Sequence, residues 1–481
     1  MKCLNYIVSC LVCAIMPMAH AQSGLSNFTE VPAIYANDLC RFANLFRAAK
    51  FRPIQAVMFG DSQETCPEGL GDIYIPRFNY ELASHYGSNS PTTPFVRLNN
   101  STGTSPWCEW LTRAAKANPG VDITRLPVTS ELPGFRGMKT STTNGANVNN
   151  NQSYGQLIAL QPSASGVNPG AAIPGHKYFD DSQGVYIDVI GIGNQTSSGE
   201  IKMKMTCNLT PTPNYYSPIT IGTVTTSMGL EGMTGYVTQR FGPITYDTSK
   251  FLQIELSGTD STKLTDVLSV QFSSVANPSG WTVTDIAEGG YYTGSVAANH
   301  PNSGPMLTAL NPDVVFVTYG ANDAYGYNYT PAMYKQGLLD IISFIKTNSG
   351  PNVLIVLMAD VYRGPSGGNP SIWMASYPVA CYEIAQADSA VMAINSRLLT
   401  ESAGWDQPNA ATYLIDQVHY TSTGAITKAQ VEVDALWALF GCFADFDLDG
   451  TADFFDYDAY VVAFENGDIC SDVTGDGAID F

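Results

Sequence analysis

Charged side chains are scarce in this 481-residue chain: they make up 14% of it, with 23 lysines and arginines against 43 aspartates and glutamates. The resulting net charge of −20 repels nucleic acid and anionic membrane surfaces, so neither is an expected partner. Histidine is scarcer still, with five residues, which leaves few candidates for a general base. The cysteines match no zinc-binding spacing. A hydrophobic share of 44% excludes wholesale disorder and predicts a sizeable folded core.

Long apolar runs are also lacking. The apolar run at residues 7–18 is shorter than the roughly 20 residues that a membrane-spanning helix needs. It follows Lys2 and precedes the tripeptide Ala19, His20 and Ala21, a pattern typical of a secretory signal peptide over residues 1–21. We therefore expect cleavage after Ala21, a secreted or cell-surface protein, and no membrane span. A lipoprotein signal at Cys10 or Cys13 is disfavoured because almost no apolar segment precedes either residue.

Seven cysteines remain after the predicted signal, and export permits disulfide bonds among them. The odd number leaves at least one thiol unpaired within the chain. Cys442 and Cys470 bracket one acidic segment, so we predict that they form a pair.

A candidate nucleophile follows a short apolar run at residues 56–59, which predicts a buried strand. After it come Gly60, Asp61 and Ser62, and Gly60 is predicted to let the backbone turn sharply. The Ser62 hydroxyl would then lie at the carboxyl edge of the strand, where open α/β sheets bind ligands. The alternative is an ordinary turn without chemistry.

Three later segments place glycines or polar residues just after predicted strands. They are Gly289 and Gly290 after residues 281–286, Asn322 and Asp323 after residues 312–319, and Asp416 and His419 after residues 411–415. Together with Ser62, and in this order, they resemble the blocks of the SGNH (GDSL-type) family of serine esterases and hydrolases. Gln63 stands where that family usually has leucine, at a position without a chemical role.

A serine hydroxyl needs a base within hydrogen-bond reach. Among the four histidines after the predicted signal, only His419 has a carboxylate three residues earlier in a turn after a predicted strand. This spacing lets Asp416 accept the Nδ1 proton of His419 while Nε2 faces Ser62, as in a serine triad. The resemblance assigns the same three roles.

The resemblance also implies an oxyanion hole. Its donors would be the backbone N–H groups of Ser62 and Gly290 and the side-chain amide of Asn322. A side chain at position 290 would crowd the acyl group, and Gly289 is the alternative if the loop is offset by one residue. For Asn322 the alternative is a turn asparagine that bonds its own backbone. Asp61 and Asp323 are interpreted as structural turn residues.

Alternating strands and helices predict an α/β fold with a doubly wound, mostly parallel sheet, and the resemblance implies three layers. A large β-rich insertion interrupts it, interpreted as a β-sandwich-like or jelly-roll-like domain. The expected division is a signal peptide at 1–21, a first hydrolase part at 22–95, the insertion at 96–278, a second hydrolase part at 279–442 and a calcium-binding segment at 443–481. Within the insertion, Tyr215, Tyr216 and Tyr236 are interpreted as core aromatics, with stacking on sugar rings as the alternative.

The acidic C-terminal segment repeats the ligand spacing of a calcium-binding loop, with glycine at position 6. Oxygen ligands stand at positions 1, 3, 5, 7, 9 and 12 of the first copy: Asp445, Asp447, Asp449, Thr451, Asp453 and Asp456. A second copy contributes Asp472, Thr474, Asp476 and Asp480, and the printed sequence ends before its position 12. The segment resembles a dockerin-type module, which implies structural Ca²⁺ and a cohesin-like or cell-surface partner.

These features predict a secreted serine esterase that hydrolyses carboxylic esters through an acyl-Ser62 intermediate, without a catalytic cofactor. The expected substrate is an ester-bearing carbohydrate or a small ester, with deacetylation of an extracellular polysaccharide favoured. Three alternatives remain: an O-acyltransferase or a lipase with the same triad, and a non-catalytic, calcium-dependent carbohydrate-binding or scaffold protein. A phosphodiesterase or phosphatase is disfavoured, because the sequence lacks the metal-ligand or arginine cluster that phosphoryl transfer needs.

Overall fold

The computed structural model describes about three fifths of the chain. The described residues are 28–61, 74–86, 91–92, 111–116, 122–125, 138–141, 155–160, 180–193, 200–208, 225–229, 235–247, 251–258, 265–299, 304–359, 370–405, 410–414, 419–441, 445–446, 448, 451–472 and 479. Their strands are β1 Ile34–Ala36, β2 Pro53–Gly60, β3 Leu111–Lys116, β4 Asp122–Arg125, β5 Met138–Ser141, β6 Gly155–Leu160, β7 Val185–Gly193, β8 Glu200–Asn208, β9 Thr225–Gly229, β10 Gly235–Ile244, β11 Phe251–Gly258, β12 Thr265–Ser274, β13 Gly280–Asp285, β14 Val314–Tyr319, β15 Leu354–Ala359 and β16 Val391–Ile394. Their α-helices are α1 Leu39–Ala48, α2 Tyr74–Ser84, α3 Thr293–Asn299, α4 Gly304–Leu310, α5 Ala321–Tyr325, α6 Pro331–Ser349, α7 Pro370–Ala387, α8 Ser396–Ser402, α9 Ala410–Tyr413, α10 Ser422–Phe440 and α11 Phe454–Glu465.

A six-stranded sheet carries the predicted hydrolase part, in the order β1-β16-β15-β14-β2-β13. Five strands are parallel, and β1 pairs antiparallel with β16 at one edge. The chain passes from β2 to β13 on one side and then to β14 on the other, so the strand order reverses between β2 and β14. In such sheets ligands bind at the carboxyl ends of the strands beside this reversal. The doubly wound, mostly parallel α/β fold is confirmed.

Alternate residues of the parallel strands pack into two different cores. Met58, Phe316 and Val356 belong to one core together with apolar residues of α1, α2 and α10. Val57 and Val315 belong to the other, together with residues of α3, α4, α6 and α7. Since neighbouring side chains of a strand point to opposite faces of the sheet, this sorting produces three layers, helix, sheet and helix.

The predicted insertion is rich in strands, as expected. Strands β3 to β12 lie between α2 and β13 in the chain and form two five-stranded antiparallel sheets, β10-β7-β12-β5-β4 and β3-β6-β11-β8-β9. The side chain of Gln271 on β12 donates to Gln55 on β2 at 3.2 Å and to Thr92 at 3.0 Å, and Thr92 donates to Thr282 on β13 at 2.8 Å. This polar cluster joins the strand-rich segment to the parallel sheet. The domain boundaries remain predictions. Of the three tyrosines interpreted as core aromatics, Tyr236 packs against a hydrophobic core, and Tyr215 and Tyr216 lie outside the described residues.

Two secondary-structure predictions and one backbone prediction are wrong. Residues 375–403 carry helical periodicity, which predicts a helical stretch, but the fully buried strand β16 lies within it. The sequence does not reveal this strand, because a four-residue apolar run cannot be told from a helix segment by its periodicity. Residues 411–415 were expected to form a strand, but the short helix α9 ends there and Leu414 forms an isolated bridge to Tyr420. Gly60 continues β2 without a positive φ, so the backbone does not need glycine's conformational freedom there.

The C-terminal segment is fastened to helix α1. Cys470 forms a disulfide bond with Cys40 just inside α1, so the predicted pairing with Cys442 is wrong. Nearby, the buried guanidinium of Arg47 lies 4.8 Å from the ring centroid of Phe446. Burial lowers the pKa of Arg47, while Asp445 and Asp456 oppose that shift. The cross-linked cysteines are 430 residues apart, a pairing that sequence spacing does not reveal.

An unpaired thiol is present, as the odd cysteine number requires. Cys381 on α7 is buried, and burial raises its pKa to about 12. Nothing in the described part of the chain forms a helix both long and apolar enough to cross a membrane. The predicted signal peptide lies outside the described residues.

Substituting Cys40→Ser is expected to loosen the C-terminal segment, because loss of a native disulfide typically costs about 2–5 kcal/mol. Hydrogen exchange measured by mass spectrometry should show faster exchange in α11. Cys381→Ala is the matched control and should leave exchange in α11 unchanged, since this thiol is buried on α7. Equal α11 protection in wild type and Cys40→Ser would contradict the account.

Candidate active site

The carboxyl ends of β2, β13 and β14 meet beside the reversal of strand order. Gly60 ends β2, and its carbonyl accepts the N–H of Glu288 at 3.0 Å. This bond ties the segment after β13 to the end of β2. Asp61, the next residue, is fully buried. Ser62 lies outside the described residues.

The glycine pair after β13 forms a tight turn. The N–H of Tyr291 donates to the carbonyl of Glu288 at 3.2 Å, and Gly290 has a φ of 80°. These features are those of a type II turn, in which the third residue needs a positive φ and is therefore usually glycine. A Cβ at position 290 would meet nothing within 4 Å, so backbone conformation rather than crowding within the chain explains this glycine. Gly290 is exposed, and no hydrogen bond from its N–H to another described residue is present.

Asn322 joins this turn to the end of β2. Gly320 leaves β14 with a φ of 151°, and Asn322 follows in the short helix α5. Its side-chain amide donates to Asp61 Oδ2 at 3.0 Å and to the carbonyl of Tyr291 at 2.9 Å. The partners are 261 and 31 residues away, which argues against a turn asparagine that bonds its own backbone. Three of the four sequence blocks are thus in direct hydrogen-bond contact.

Asp323 also bonds to the segment after β13. Its carboxylate is fully buried and accepts the N–H of Thr293 at 3.1 and 3.3 Å, as well as the Thr293 hydroxyl. The carbonyl of Asp323 accepts the N–H of Tyr329 at 2.7 Å. These contacts agree with the interpretation of Asp323 as a structural residue.

His419 is half-buried and immediately precedes Tyr420, which forms an isolated bridge with Leu414 and is followed by Thr421, the N-cap of helix α10. The neighbouring Tyr420 is fully buried, with its ring centroid 6.0 Å from that of Tyr74. This packing anchors the backbone immediately after His419. Asp416 lies outside the described residues, so the predicted triad of Ser62, Asp416 and His419 remains a prediction.

A buried charged cluster supports Tyr420. The Nζ of Lys428 lies 5.3 Å from the Tyr420 ring centroid, 4.0 Å from the Tyr74 ring centroid and 4.0 Å from Glu432 Oε1. The Tyr74 hydroxyl donates to Glu432 Oε2 at 2.5 Å. Lys428 and Glu432 are both fully buried, a cluster that the sequence interpretation missed. The i, i+4 spacing of a lysine and a glutamate on a helix was the available signal, although such pairs are usually exposed.

In the C-terminal segment, the first predicted calcium loop is partly described. Asp445 and Asp456, at positions 1 and 12, are both buried. The Asp456 carboxylate accepts the N–H groups of Phe446 and Asp453, the latter at 2.6 Å, which closes the loop on itself. Asp453 also caps α11, and Thr451 is exposed. Asp472, the first predicted ligand of the second loop, is buried. The remaining predicted ligands lie outside the described residues: Asp447, Asp449, Thr474, Asp476 and Asp480.

Comparison with known proteins relates the chain to solved structures only. A scan of protein-family models gives no match, and no curated protein matches the sequence. A peptidoglycan O-acetylesterase structure matches with a TM-score of 0.56 and 13% identity, over 85% of this chain and 99% of that one. The residues outside 96–278 make up less than 85% of this chain, so the matched region includes part of residues 96–278. A variant of Axe2, an acetyl-xylooligosaccharide esterase from Geobacillus stearothermophilus, matches with a TM-score of 0.27 and 18% identity, over 34% of this chain and 75% of that one. At these identities the likeness concerns the fold alone.

Substituting Asn322→Ala is expected to lower kcat for ester hydrolysis about 10²–10³-fold, the usual effect of losing one oxyanion donor. The variant also loses the bonds to Asp61 and Tyr291. Steady-state turnover of p-nitrophenyl acetate measures the effect. The control is Asn352→Ala, an exposed asparagine just before β15 at the opposite edge of the sheet. Wild-type turnover by Asn322→Ala would contradict the assignment.

Proposed function

We propose that this chain is a serine esterase that cleaves carboxylic esters through an acyl-Ser62 intermediate. The observation that carries the proposal is the pair of hydrogen bonds from Asn322, which bring Asp61, next to Ser62, against Tyr291, next to Gly290. Residues from three distant sequence blocks therefore meet at the edge of the sheet where α/β enzymes hold their substrates. The shared fold with a peptidoglycan O-acetylesterase is consistent with this chemistry.

In the acylation step, the Ser62 hydroxyl attacks the ester carbonyl while His419 Nε2 takes its proton. Asp416 holds the imidazole through Nδ1 and stabilises the imidazolium that forms. The carbonyl oxygen becomes an oxyanion, which accepts hydrogen bonds from the N–H groups of Ser62 and Gly290 and from Asn322. Collapse of this intermediate breaks the ester C–O bond, and His419 returns the proton to the departing alcohol.

In the deacylation step, His419 takes a proton from water, and the resulting hydroxide attacks the acyl carbon. Ser62 then leaves with the proton returned by His419, and the carboxylic acid is released. Because both amide hydrogens of Asn322 already have acceptors, the oxyanion has to share one of them with Asp61 or Tyr291. We propose that the hydrogen bond to Asp61 holds the Asn322 side chain in position between turnovers.

The proposed substrate is an O-acetylated extracellular polysaccharide. The predicted export signal supports an extracellular site of action. The shared fold with an enzyme that acts on O-acetyl groups of peptidoglycan supports the acetyl group. The strand-rich insertion joins the sheet through the cluster of Gln55, Gln271 and Thr92, which places extra surface on the catalytic unit.

Substituting Ser62→Ala is expected to abolish release of p-nitrophenol from p-nitrophenyl acetate, because no other group forms the acyl intermediate. Wild type should hydrolyse this ester with or without chelator, since no metal enters the proposed chemistry. Adding a sugar acceptor should leave hydrolysis dominant, which separates an esterase from an acyltransferase. The proposal fails if Ser62→Ala retains wild-type turnover.

The first C-terminal loop is proposed to hold structural Ca²⁺. Its donors are oxygen atoms only, as this hard cation prefers, and the contact between Phe446 and Asp456 brings both ends of the loop together. The predicted ligands are Asp445, Asp447, Asp449, Thr451, Asp453 and Asp456. A bound cation would offset the repulsion among these carboxylates, which the single Arg47 guanidinium only partly offsets. A cohesin-like or cell-surface partner stays a prediction on which no structural observation bears.

Removing calcium with EGTA is expected to lower the melting temperature of the C-terminal segment while leaving p-nitrophenyl acetate turnover unchanged. At a hundredfold excess over its dissociation constant, a bound ion contributes about 2.7 kcal/mol. The calcium-dependent shift should vanish in Asp456→Asn. It should persist in Asp458→Asn, an exposed acid on the same helix. Identical melting curves of wild type in calcium and in EGTA would refute the site.

A further inference from the structure

Five tyrosines flank the two loops that carry the proposed oxyanion donors. Two of them follow Gly290 and three follow Asn322: Tyr291, Tyr292, Tyr325, Tyr327 and Tyr329. The rings of Tyr292 and Tyr327 stack with centroids 3.6 Å apart, and Tyr329 packs edge-on against Tyr292 at 5.4 Å. The sequence blocks therefore bring an aromatic cluster to the same edge of the sheet as the reacting groups.

The cluster is exposed to a degree that core aromatics are not. Tyr325 is 56% exposed and Tyr327 is 48% exposed, although Tyr327 already stacks on Tyr292. Large apolar surface left open beside a reactive centre is characteristic of a ligand-binding site. Tyrosine suits such a surface because it offers a rigid ring and a hydroxyl with little entropy to lose.

The cluster is also held rigidly relative to the site. The N–H of Tyr327 donates to the carbonyl of Asn322 at 3.1 Å, and the N–H of Tyr329 to that of Asp323 at 2.7 Å. The Tyr377 hydroxyl donates to the carbonyl of Tyr329 at 2.7 Å. A ligand seated on these rings would thus be held at a constant distance from Asn322, which is the requirement for orienting a bound ester.

The packing of two rings of the cluster, Tyr292 and Tyr329, requires glycine at position 294. A Cβ on Gly294 would lie 2.3 Å from the Tyr329 hydroxyl and 2.8 Å from the Tyr292 ring. Gly294 therefore lets both rings pack over the start of α3. Burial and the neighbouring Tyr292 raise the pKa of Tyr329, so its phenol stays neutral at neutral pH.

Charge around the cluster restricts the ligand. The stretch from residue 264 to residue 334, which carries all five tyrosines, contains no lysine and no arginine. Its acidic residues include Glu288 and Asp323 beside the two loops. A sugar carboxylate would find no counter-charge on these loops, whereas an uncharged pyranose offers an apolar face of C–H groups that fits an aromatic ring.

We infer that Tyr292, Tyr325 and Tyr327 form a platform on which an uncharged pyranose ring of the acetylated glycan stacks next to the reacting ester. The position of the sugar next to a reacting ester rests on the proposed esterase function. The platform sets substrate preference, and it orients the sugar rather than taking part in the chemistry. It is distinct from the tyrosines of the strand-rich insertion.

The test compares two acetylated hexasaccharides of equal length, neutral xylohexaose and anionic hexagalacturonate, with p-nitrophenyl acetate as the small ester. For wild type, kcat/KM is expected to be higher on acetylated xylohexaose than on acetylated hexagalacturonate. In Tyr325→Ala/Tyr327→Ala, the ratio of kcat/KM on acetylated xylohexaose to that on p-nitrophenyl acetate should fall about tenfold, mainly through KM. Tyr327→Trp should retain the wild-type ratio because it keeps an aromatic face. Tyr457→Ala, which removes a 60% exposed tyrosine on α11, is the control and should also retain it.

Binding of unacetylated xylohexaose, followed by saturation-transfer NMR on the full chain, separates the inference from the proposed function. Binding by wild type that weakens in Tyr325→Ala/Tyr327→Ala supports the platform even if no ester is turned over. Turnover of p-nitrophenyl acetate with an unchanged ratio in the double variant overturns the platform and leaves the esterase proposal intact. A preference for hexagalacturonate, or no binding of xylohexaose by wild type, overturns the assignment of an uncharged ring.

Discussion

The side-chain amide of Asn322 is the interaction on which the proposed site depends. It bonds to Asp61 at the end of β2 and to the carbonyl of Tyr291 in the turn after β13, while it stands itself just after β14. One amide group thus links the carboxyl ends of three adjacent parallel strands. The buried Asp323 adds a second link through Thr293, so Asn322 and Asp323 both bond to the segment after β13. Catalysis by oriented hydrogen-bond donors requires such prior fixing, because donors that must reorganise during the reaction lose most of their effect.

The sheet makes this junction possible. Its central strands are buried on both faces, with alternate side chains packed into two separate cores. Such strands present their polar groups only where they end, and the reversal of strand order between β2 and β14 opens a crevice there. The strand-rich segment between α2 and β13 leaves this arrangement intact, since the chain returns from β12 directly into β13. Gln271 of this segment donates to Gln55 on β2 and to Thr92, which in turn donates to Thr282 on β13.

The parts of the fold that could be predicted are those written in local sequence. The predicted strands at 56–59, 281–286 and 312–319 correspond to β2, β13 and β14, and the residues that follow the last two placed Gly290 and Asn322 at one sheet edge. Features that depend on distant partners were not predictable. The Cys40–Cys470 disulfide joins residues 430 apart, and the bond from Asn322 to Asp61 spans 261 residues. Strand β16 was missed because four apolar residues between helices carry no period of their own. The positive φ of Gly290 is a reason for glycine at this position that the sequence did not reveal.

Covalent labelling is the sharpest test of whether Ser62 is a nucleophile activated by His419. A fluorophosphonate reacts with an activated serine and leaves a stable adduct that intact-mass and peptide mass spectrometry can locate. We expect one adduct per chain, on the peptide that contains Ser62, formed by wild type and lost in His419→Ala. An unlabelled wild-type protein, or an adduct on a residue other than Ser62, would contradict it.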